Sequence, residues 1–151
     1  LCVHPPVRVL LIFPIKERTM HIVICLDDKN GMLFNRRRLS SDRTVCAQIA
    51  QAATGKLRMN GYSAKLFADY PVCAEEDFLE KAEAGDTCFA ETTDFVSHTD
   101  RMESLTVYRW NRVYPSDVKL PEDYLSAWKL VRTEEFAGYS HETITRELYT
   151  K

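Results

Sequence analysis

The chain contains 151 residues, of which 45% are hydrophobic and 28% charged, and its formal net charge is −2. This length accommodates one domain with its own core, and the 5 Gly and 6 Pro exclude a collagen-like or disordered chain. No block of roughly 20 to 50 residues recurs, which excludes a repeat solenoid.

The first nineteen residues contain an apolar run, Val7–Ile15, that Arg8 and Pro14 interrupt. The run is shorter than the roughly 20 residues that cross a bilayer, and no small-residue cleavage site follows it. The sequence therefore predicts neither a membrane span nor a signal peptide. An extra strand or an N-terminal arm is one interpretation of this segment.

A second interpretation explains why this segment differs from the rest. The codons for Lys16-Glu17 can form a purine block of the kind that positions bacterial ribosomes, and two codons separate it from Met20. We therefore expect residues 1–19 to be translated leader sequence and residues 20–151 to form a single α/β domain. The leader carries three basic residues and one acidic residue, so the domain alone is more acidic than the whole chain. An anion site on such a domain must be a local basic patch.

The five cysteines are odd in number and contain no C-x-x-C pair, which favours a reducing, cytoplasmic compartment over secretion. Cys25, Cys46 and Cys88 lie in apolar stretches, where a free thiol behaves as a small hydrophobe. We therefore expect these three thiols to be buried and unpaired.

The first elements are a buried strand and a capped helix. His21–Asp27 is a continuous apolar run ending in acid, typical of a strand in the middle of a parallel sheet. Asn30-Gly31 marks a turn. Ser40-Ser41-Asp42 offers N-cap chemistry to a helix that Gly55 ends.

The later elements alternate in the same way. A turn at Asn60-Gly61 follows the second strand, and the stretch from Thr92 to Glu103 favours no clear element. The predicted segments are a strand over Lys56–Met59, a helix over Ser63–Phe67, a weak strand over Tyr70–Cys73, a helix over Glu75–Ala84, strands over Thr87–Ala90, Ser104–Asn111 and Trp128–Thr133, and a final helix over His141–Tyr149.

This alternation predicts an α/β fold. Strands separated by helices favour a single three-layer sandwich with a mostly parallel sheet and helices on both of its faces. The last two predicted strands are joined without an obvious helix, so they could pair antiparallel at one edge.

The loop after the first strand concentrates charge. Arg36, Arg37 and Arg38 precede the predicted helix start at Ser41, and Arg43 follows it. A helix N-terminus favours anions, and guanidinium groups make bidentate contacts with phosphate. The loop therefore predicts binding of a phosphate-bearing ligand, either a nucleotide or RNA. The alternative is a solvated loop whose arginines pair with nearby acids.

A late strand offers aromatic rings beside basic residues. Tyr108, Trp110 and Arg112 belong to this alternation, and stacking faces with guanidinium groups suit a base. Tyr108 and Trp110 are two apart, so they also share one strand face and could pack under a helix. We include Trp110 and Arg112 in the expected ligand site.

A metal site is a further hypothesis. Asp27 and Asp28 could hold Mg²⁺, with Glu91 and Asp94 as additional acids for a nuclease. The chain has no H-E-x-x-H, no zinc-type Cys–His spacing, no phosphate-binding glycine motif and no G-x-S-x-G nucleophile elbow.

Several segments together resemble a small bacterial family whose members carry the label ribonuclease Z. They are Cys25–Arg43, Asn60–Phe67, Trp110–Pro115 and Ser140–Thr145, so the resemblance covers Met20 to Lys151. The label implies RNA cleavage, but the H-x-H-x-D-H zinc motif of true ribonuclease Z is absent and no catalytic residue carries over. The opening strand, basic loop and aromatic late strand are also similar to dihydrofolate-reductase-like domains. That likeness implies a nicotinamide-dependent reductase, although the cofactor glycines are not evident.

Four functions follow from these patterns, and they leave open whether the protein is an enzyme. The first is binding of a phosphate-bearing ligand at Arg36, Arg37, Arg38, Ser41, Arg43, Trp110 and Arg112. The alternatives are a metal-dependent ribonuclease or phosphodiesterase, an NADPH-linked reductase, and a non-catalytic protein-interaction module. No membrane partner is expected, and the oligomeric state stays open.

Overall fold

The computed structural model describes residues 19–151, so the expected leader lies outside the described residues except for Thr19. Two sheets organise the chain. The main sheet contains, in spatial order, β5 (Cys73–Ala74), β4 (Leu57–Met59), β6 (Thr87–Phe89), β1 (Met20–Leu26), β7 (Met102–Arg109), β10 (Ile144–Thr150) and β9 (Lys129–Phe136). The small sheet contains β3 (Arg37–Arg38), β2 (Gly31–Phe34) and β8 (Val118–Lys119).

Helices and 3₁₀ turns connect the strands. None of those formed by residues 19–151 is long and apolar enough to cross a membrane. The α-helices are α1 (Arg43–Ala52), α2 (Gly61–Ala64), α3 (Phe78–Lys81) and α4 (Glu122–Ser126), and the 3₁₀ segments are Lys65–Phe67 and Thr93–Arg101.

The central strand β1 follows from its sequence. It pairs in parallel with β6 on one side and β7 on the other, so its backbone groups are satisfied on both sides. Ile22, Ile24 and Leu26 pack into one core, while Val23 packs into a second core on the opposite face. Because both faces are covered, the strand reads as a continuous apolar run.

The two cores lie on opposite faces of the sheet and are covered by different helices. Val45, Cys46 and Ile49 of α1 pack on one face, whereas Phe78 and Leu79 of α3 pack on the other. This arrangement confirms the predicted α/β class, with a mostly parallel sheet and helices on both faces. Cys46 and Cys88 are buried as expected, and Cys25 is half-buried and unpaired.

The predicted helix over His141–Tyr149 is wrong, because this segment forms β10. Ile144 and Leu148 lie four residues apart, which places them on one face of a helix and equally on one face of a strand. The neighbouring threonines favour the strand. β10 lies between β7 and β9 and runs antiparallel to both. The predicted antiparallel edge is therefore present, but it contains one strand more than expected.

Two other helices differ from their predictions. The helix expected over Glu75–Ala84 shortens to α3, although Phe78, Leu79 and Ala82 are buried as its periodicity predicts. Ser63 is not a cap: the side chain of Asn60 caps α2 by accepting the Ser63 N–H at 2.8 Å. An Asn before Gly can serve either role, and here the cap replaces the predicted turn.

Candidate functional site

Four parallel strands end at one edge of the main sheet and bring polar residues together there. β1 leads into Asp27, β4 into Asn60, β6 into Glu91 and β7 into Trp110. Ligands of open α/β sheets bind beyond this carboxyl edge. The hairpin formed by β2 and β3 contributes side chains to the same region, because it follows Asp27 directly.

Asp27 organises the loop after β1. One carboxylate oxygen accepts the N–H groups of Lys29 and Gly31 at 2.8 and 2.7 Å, and the other accepts the N–H of Tyr114 at 3.0 Å. Burial acts to raise the pKa of Asp27, but these N–H donors outweigh it and lower the pKa below its ordinary value. Both carboxylate oxygens of Asp27 are therefore occupied by backbone N–H groups.

This geometry does not support the predicted magnesium site. Asp27 is fully buried and directs both oxygens at N–H donors, while Asp28 is exposed. Within residues 19–151, no group of three or more His, Cys, Asp or Glu side chains could hold a metal ion. Glu91, which was a candidate additional ligand, instead pairs with an arginine.

The hairpin turn places Arg36 in an unusual backbone conformation. Asn35 and Arg36 connect β2 to β3 with φ values of 51° and 62°. A two-residue turn with positive φ at both positions normally takes glycine at the second one. The Arg36 side chain is exposed and makes no hydrogen bond or ion pair with any described residue. Its charge is therefore available to a ligand.

Arg38 is already occupied. Its Nε and Nη2 donate to the two Glu91 oxygens at 2.8 and 2.9 Å, and its guanidinium lies 4.4 Å from the centre of the Tyr62 ring. The hydrogen bond to Glu91 raises the pKa of Arg38. Ser63 also donates to Glu91, at 2.7 Å. A phosphate at Arg38 would have to compete with this carboxylate.

Two open clefts flank the hairpin. The first has a volume of about 470 Å³, and Arg36 lines it together with Asn60, Tyr62 and Thr92 at the carboxyl edge. The second, of about 490 Å³, is lined by Arg37, Arg38 and Tyr114. Asn35 lines both clefts, so they adjoin at the turn.

The other expected ligand residues lie elsewhere. Ser41 and Arg112 are exposed, and the Arg43 guanidinium lies 5.0 Å from the ring centre of Tyr139. Trp110 is 4% exposed and stacks on His141, with 4.7 Å between ring centres, so it belongs to the core as the alternative predicted. Neither cleft is lined by any of the four.

Tyr108 and Arg109 also have structural roles. Tyr108 is 1% exposed and packs edge-on against Phe136. β7 lies next to β1, and Arg109 donates to the Glu147 carboxylate and to the side-chain oxygen of Asn30. Arg109 therefore stabilises the loop after β1 and does not join Arg36.

Asp42 forms a second buried centre at the start of α1. As the N-cap it accepts the Thr44 N–H at 2.8 Å, and it also accepts the N–H groups of Tyr139 and Ser140 from the loop before β10. His141 Nδ1 lies 2.9 Å from the same carboxylate. Burial acts to raise the pKa of Asp42, but these donors outweigh it and hold the pKa far below its ordinary value.

The sequence patterns did not identify Asn60, Tyr62, Thr92 or Asp117 as lining a cleft. Asn60 and Tyr62 immediately follow β4, and Thr92 follows β6, so the rule that ligands bind beyond strand ends could have found them. Asp117 lies on the connection to β8, an element of two residues that no periodicity reveals.

The geometry defines a mixed α/β fold with its polar clefts at the carboxyl edge of the sheet. No protein-family model matches the chain, and no curated protein matches it either. Among solved structures it is similar to a dihydrofolate reductase from Enterococcus faecalis complexed with NADP(H) and RAB-propyl, with a TM-score of 0.63 and 10% identity. The match covers 87% of this chain and 95% of that chain.

The similarity shows a dihydrofolate-reductase-like fold. It confirms one of the two resemblances at the level of the fold. The ribonuclease Z label receives no support, since neither a family model nor a curated sequence matches.

Proposed function

We propose that this protein binds a phosphate-bearing nucleotide in the 470 Å³ cleft, with Arg36 contacting phosphate and Tyr62 stacking on the base. The observation that carries the proposal is Arg36 itself. A left-handed backbone costs a residue with a side chain about 1 kcal/mol relative to glycine. Strained residues of this kind cluster at ligand sites, and this one lines a cleft with a charge that no other described residue pairs.

The chemistry of the cleft matches such a ligand. Guanidinium groups bind phosphate oxygens through paired N–H donors, and aromatic rings stack on any base. Tyr62 is 41% exposed, and Arg38 lies over its ring. Arg37 on the adjoining cleft would contact a second phosphate group of a longer ligand.

A dinucleotide such as NADPH is the first ligand to test, and an NADPH-linked reductase is the second candidate function. The similar dihydrofolate reductase is complexed with NADP(H), and the fold presents its clefts at the edge where α/β proteins bind cofactors. Reductase activity goes one step further than binding, because it also requires a substrate beside the nicotinamide.

The test compares wild type with Arg36→Gly by titration calorimetry against NADPH, ATP and a short RNA. Wild type is expected to bind at least one of them, and Arg36→Gly to bind it about 10- to 100-fold more weakly, as the loss of a charge-assisted contact implies. Lys129→Ala, an exposed cation on the distant edge strand β9, is the matched control. Equal affinity of wild type and Arg36→Gly, or no binding by wild type, would overturn the proposal.

A further inference from the structure

Three side chains near the start of α1 form a continuous hydrogen-bonded chain. Ser40 Oγ lies 2.8 Å from His141 Nε2, and His141 Nδ1 lies 2.9 Å from Asp42 Oδ2. The serine and the carboxylate therefore contact opposite nitrogens of one imidazole. This is the spatial order of a nucleophile, a base and an orienting acid, which is recognised by geometry and not by sequence position.

The imidazole is held from several sides. Asp42 accepts the N–H groups of Tyr139 and Ser140, which holds the backbone on the N-terminal side of His141 against the start of α1. Trp110 stacks on the ring with an interplanar angle of 24°. The His141 side chain is 6% exposed as a result. A base held in this way needs little reorganisation during reaction.

The same contacts fix the position of the ring proton. Asp42 is a carboxylate with a strongly lowered pKa, so it accepts a hydrogen bond and Nδ1 of His141 is the donor. In the neutral ring Nε2 is then the acceptor, and the Ser40 hydroxyl donates to it. This tautomer is the one in which a histidine can remove a serine proton.

Ser40 also borders a small cavity of about 20 Å³. Val45, Cys46, Ile49, Phe67 and Phe89 contribute apolar walls, and the Arg38–Glu91 ion pair also lines the cavity. A volume of this size is close to that of one water-sized probe, so it admits a small apolar group and no long chain. The cavity is large enough for a methyl group next to Ser40.

We propose that Ser40, His141 and Asp42 hydrolyse esters of short carboxylic acids, with Ser40 as nucleophile, His141 as general base and Asp42 as the positioning residue. Ser40 Oγ forms a bond to the carbonyl carbon while its proton passes to His141 Nε2, and the carbonyl electron pair moves onto oxygen. Collapse of that adduct breaks the ester C–O bond, and the leaving alcohol takes the proton from Nε2. Water then adds to the acyl–Ser40 ester by the same route and releases the carboxylic acid.

Labelling with diisopropyl fluorophosphate tests the nucleophile directly. Folded wild type should gain one diisopropylphosphoryl group, which peptide mapping places on Ser40, and Ser40→Ala should not be labelled. His141→Gln should be labelled at least about 100-fold more slowly, the usual contribution of a positioned base. Ser97→Ala, which alters an exposed serine elsewhere, should be labelled like wild type.

An unlabelled wild type, a label on another residue, or an unchanged rate in His141→Gln would each overturn the proposal. Ser40→Ala removes one hydroxyl and leaves the Asp42–His141 pair in place, so the mapping remains decisive even where His141→Gln is unstable. Circular dichroism on each variant checks the fold.

Ester hydrolysis tests the size of the acyl group. Wild type should cleave p-nitrophenyl acetate, Ser40→Ala should lose at least about 100-fold of that rate, and p-nitrophenyl hexanoate should react at least about 10-fold more slowly than the acetate because the cavity is small. Equal rates for Ser40→Ala and wild type would overturn the catalytic assignment. Equal rates for the two esters would overturn the assignment of the cavity as the acyl site.

Discussion

Asp27 and Asp42 lie at the two ends of the charged segment that follows β1, and they have different roles in the structure. Each is buried, and each accepts three backbone N–H groups, at least one of them from a distant part of the chain. Among residues 19–151, the Asp27 carboxylate accepts hydrogen bonds from backbone N–H groups only. Asp42 also contacts His141, whose other nitrogen faces a serine.

The difference shows how a structural carboxylate can be distinguished from one that supports chemistry. Backbone N–H groups cannot transfer a proton to a substrate, so a carboxylate saturated by them only fixes the chain. A carboxylate that orients an imidazole influences the group that accepts the proton. Lowered pKa values occur at both aspartates and therefore do not separate the two roles.

The largest expected effects come from Asp27→Asn and Asp42→Asn. Each replacement turns an NH₂ group toward backbone N–H donors and should lower the free energy of unfolding by about 3 kcal/mol. Urea denaturation measures both. Among molecules that stay folded, Asp42→Asn should slow Ser40 labelling and Asp27→Asn should not. Similar labelling rates in the two variants would show that Asp42 supports the reactivity of Ser40 no more than Asp27 does.

Acid should remove the stabilisation that both aspartates provide. Their pKa values are lower in the folded protein than the ordinary value of 3.8, so their contribution is complete above that pH and is lost as pH falls through the folded values. The free energy of unfolding should therefore decrease as pH falls from the ordinary value toward the lowered pKa of each aspartate. Urea titrations from pH 5 to pH 2 should show this decrease in wild type.

The same titrations carry their own control. Asp42→Asn should lose stability less steeply below pH 4 than wild type, because the group responsible no longer titrates. A slope in Asp42→Asn as steep as that of wild type would show that other carboxyl groups account for the acid effect.

Each aspartate also has a glycine against it, and the two glycines allow a finer comparison. A Cβ on Gly31 would lie 3.0 Å from Asp27 Oδ1 and 2.8 Å from Ser116 Oγ, and one on Gly138 would lie 2.7 Å from Asp42 Oδ2. Gly31→Ala and Gly138→Ala should each cost about 1–2 kcal/mol of unfolding free energy through overpacking. Only Gly138→Ala should also slow Ser40 labelling, because it displaces the loop that carries His141. Labelling slowed equally by Gly31→Ala would contradict this.

Much of the fold could be predicted because its signals are local. The apolar run of β1 and the capping side chain of Asp42 each act within one element, and both predictions are confirmed. The strand β10 failed because a spacing of four residues suits helix and strand alike. What decided its form is the pair of ladders it makes with β7 and β9, which are contacts between distant segments.

The candidate site was less predictable for the same reason. The density of arginines predicted one anion site. One of these arginines, Arg38, is instead paired with Glu91, which is 53 residues away in the sequence. His141 lies 99 residues from Asp42, and no spacing motif joins them. The hairpin at Arg36 was not recognised because Asn-Arg replaces the Asn-Gly pair that identifies such turns.

The smallest expected effect concerns Arg36 and tests whether this residue contributes to the stability of the hairpin. Arg36→Gly relieves a left-handed backbone, but glycine gives the unfolded chain more freedom, so the free energy of unfolding should rise by no more than about 1 kcal/mol. Arg37→Gly, in the adjacent strand β3, gains only that freedom and should lose about 0.5–1 kcal/mol. Urea denaturation of both variants measures whether each replacement raises or lowers the free energy of unfolding. A stability loss in Arg36→Gly equal to that in Arg37→Gly would mean that Arg36 stabilises the hairpin, and its strained backbone would then no longer point to a ligand.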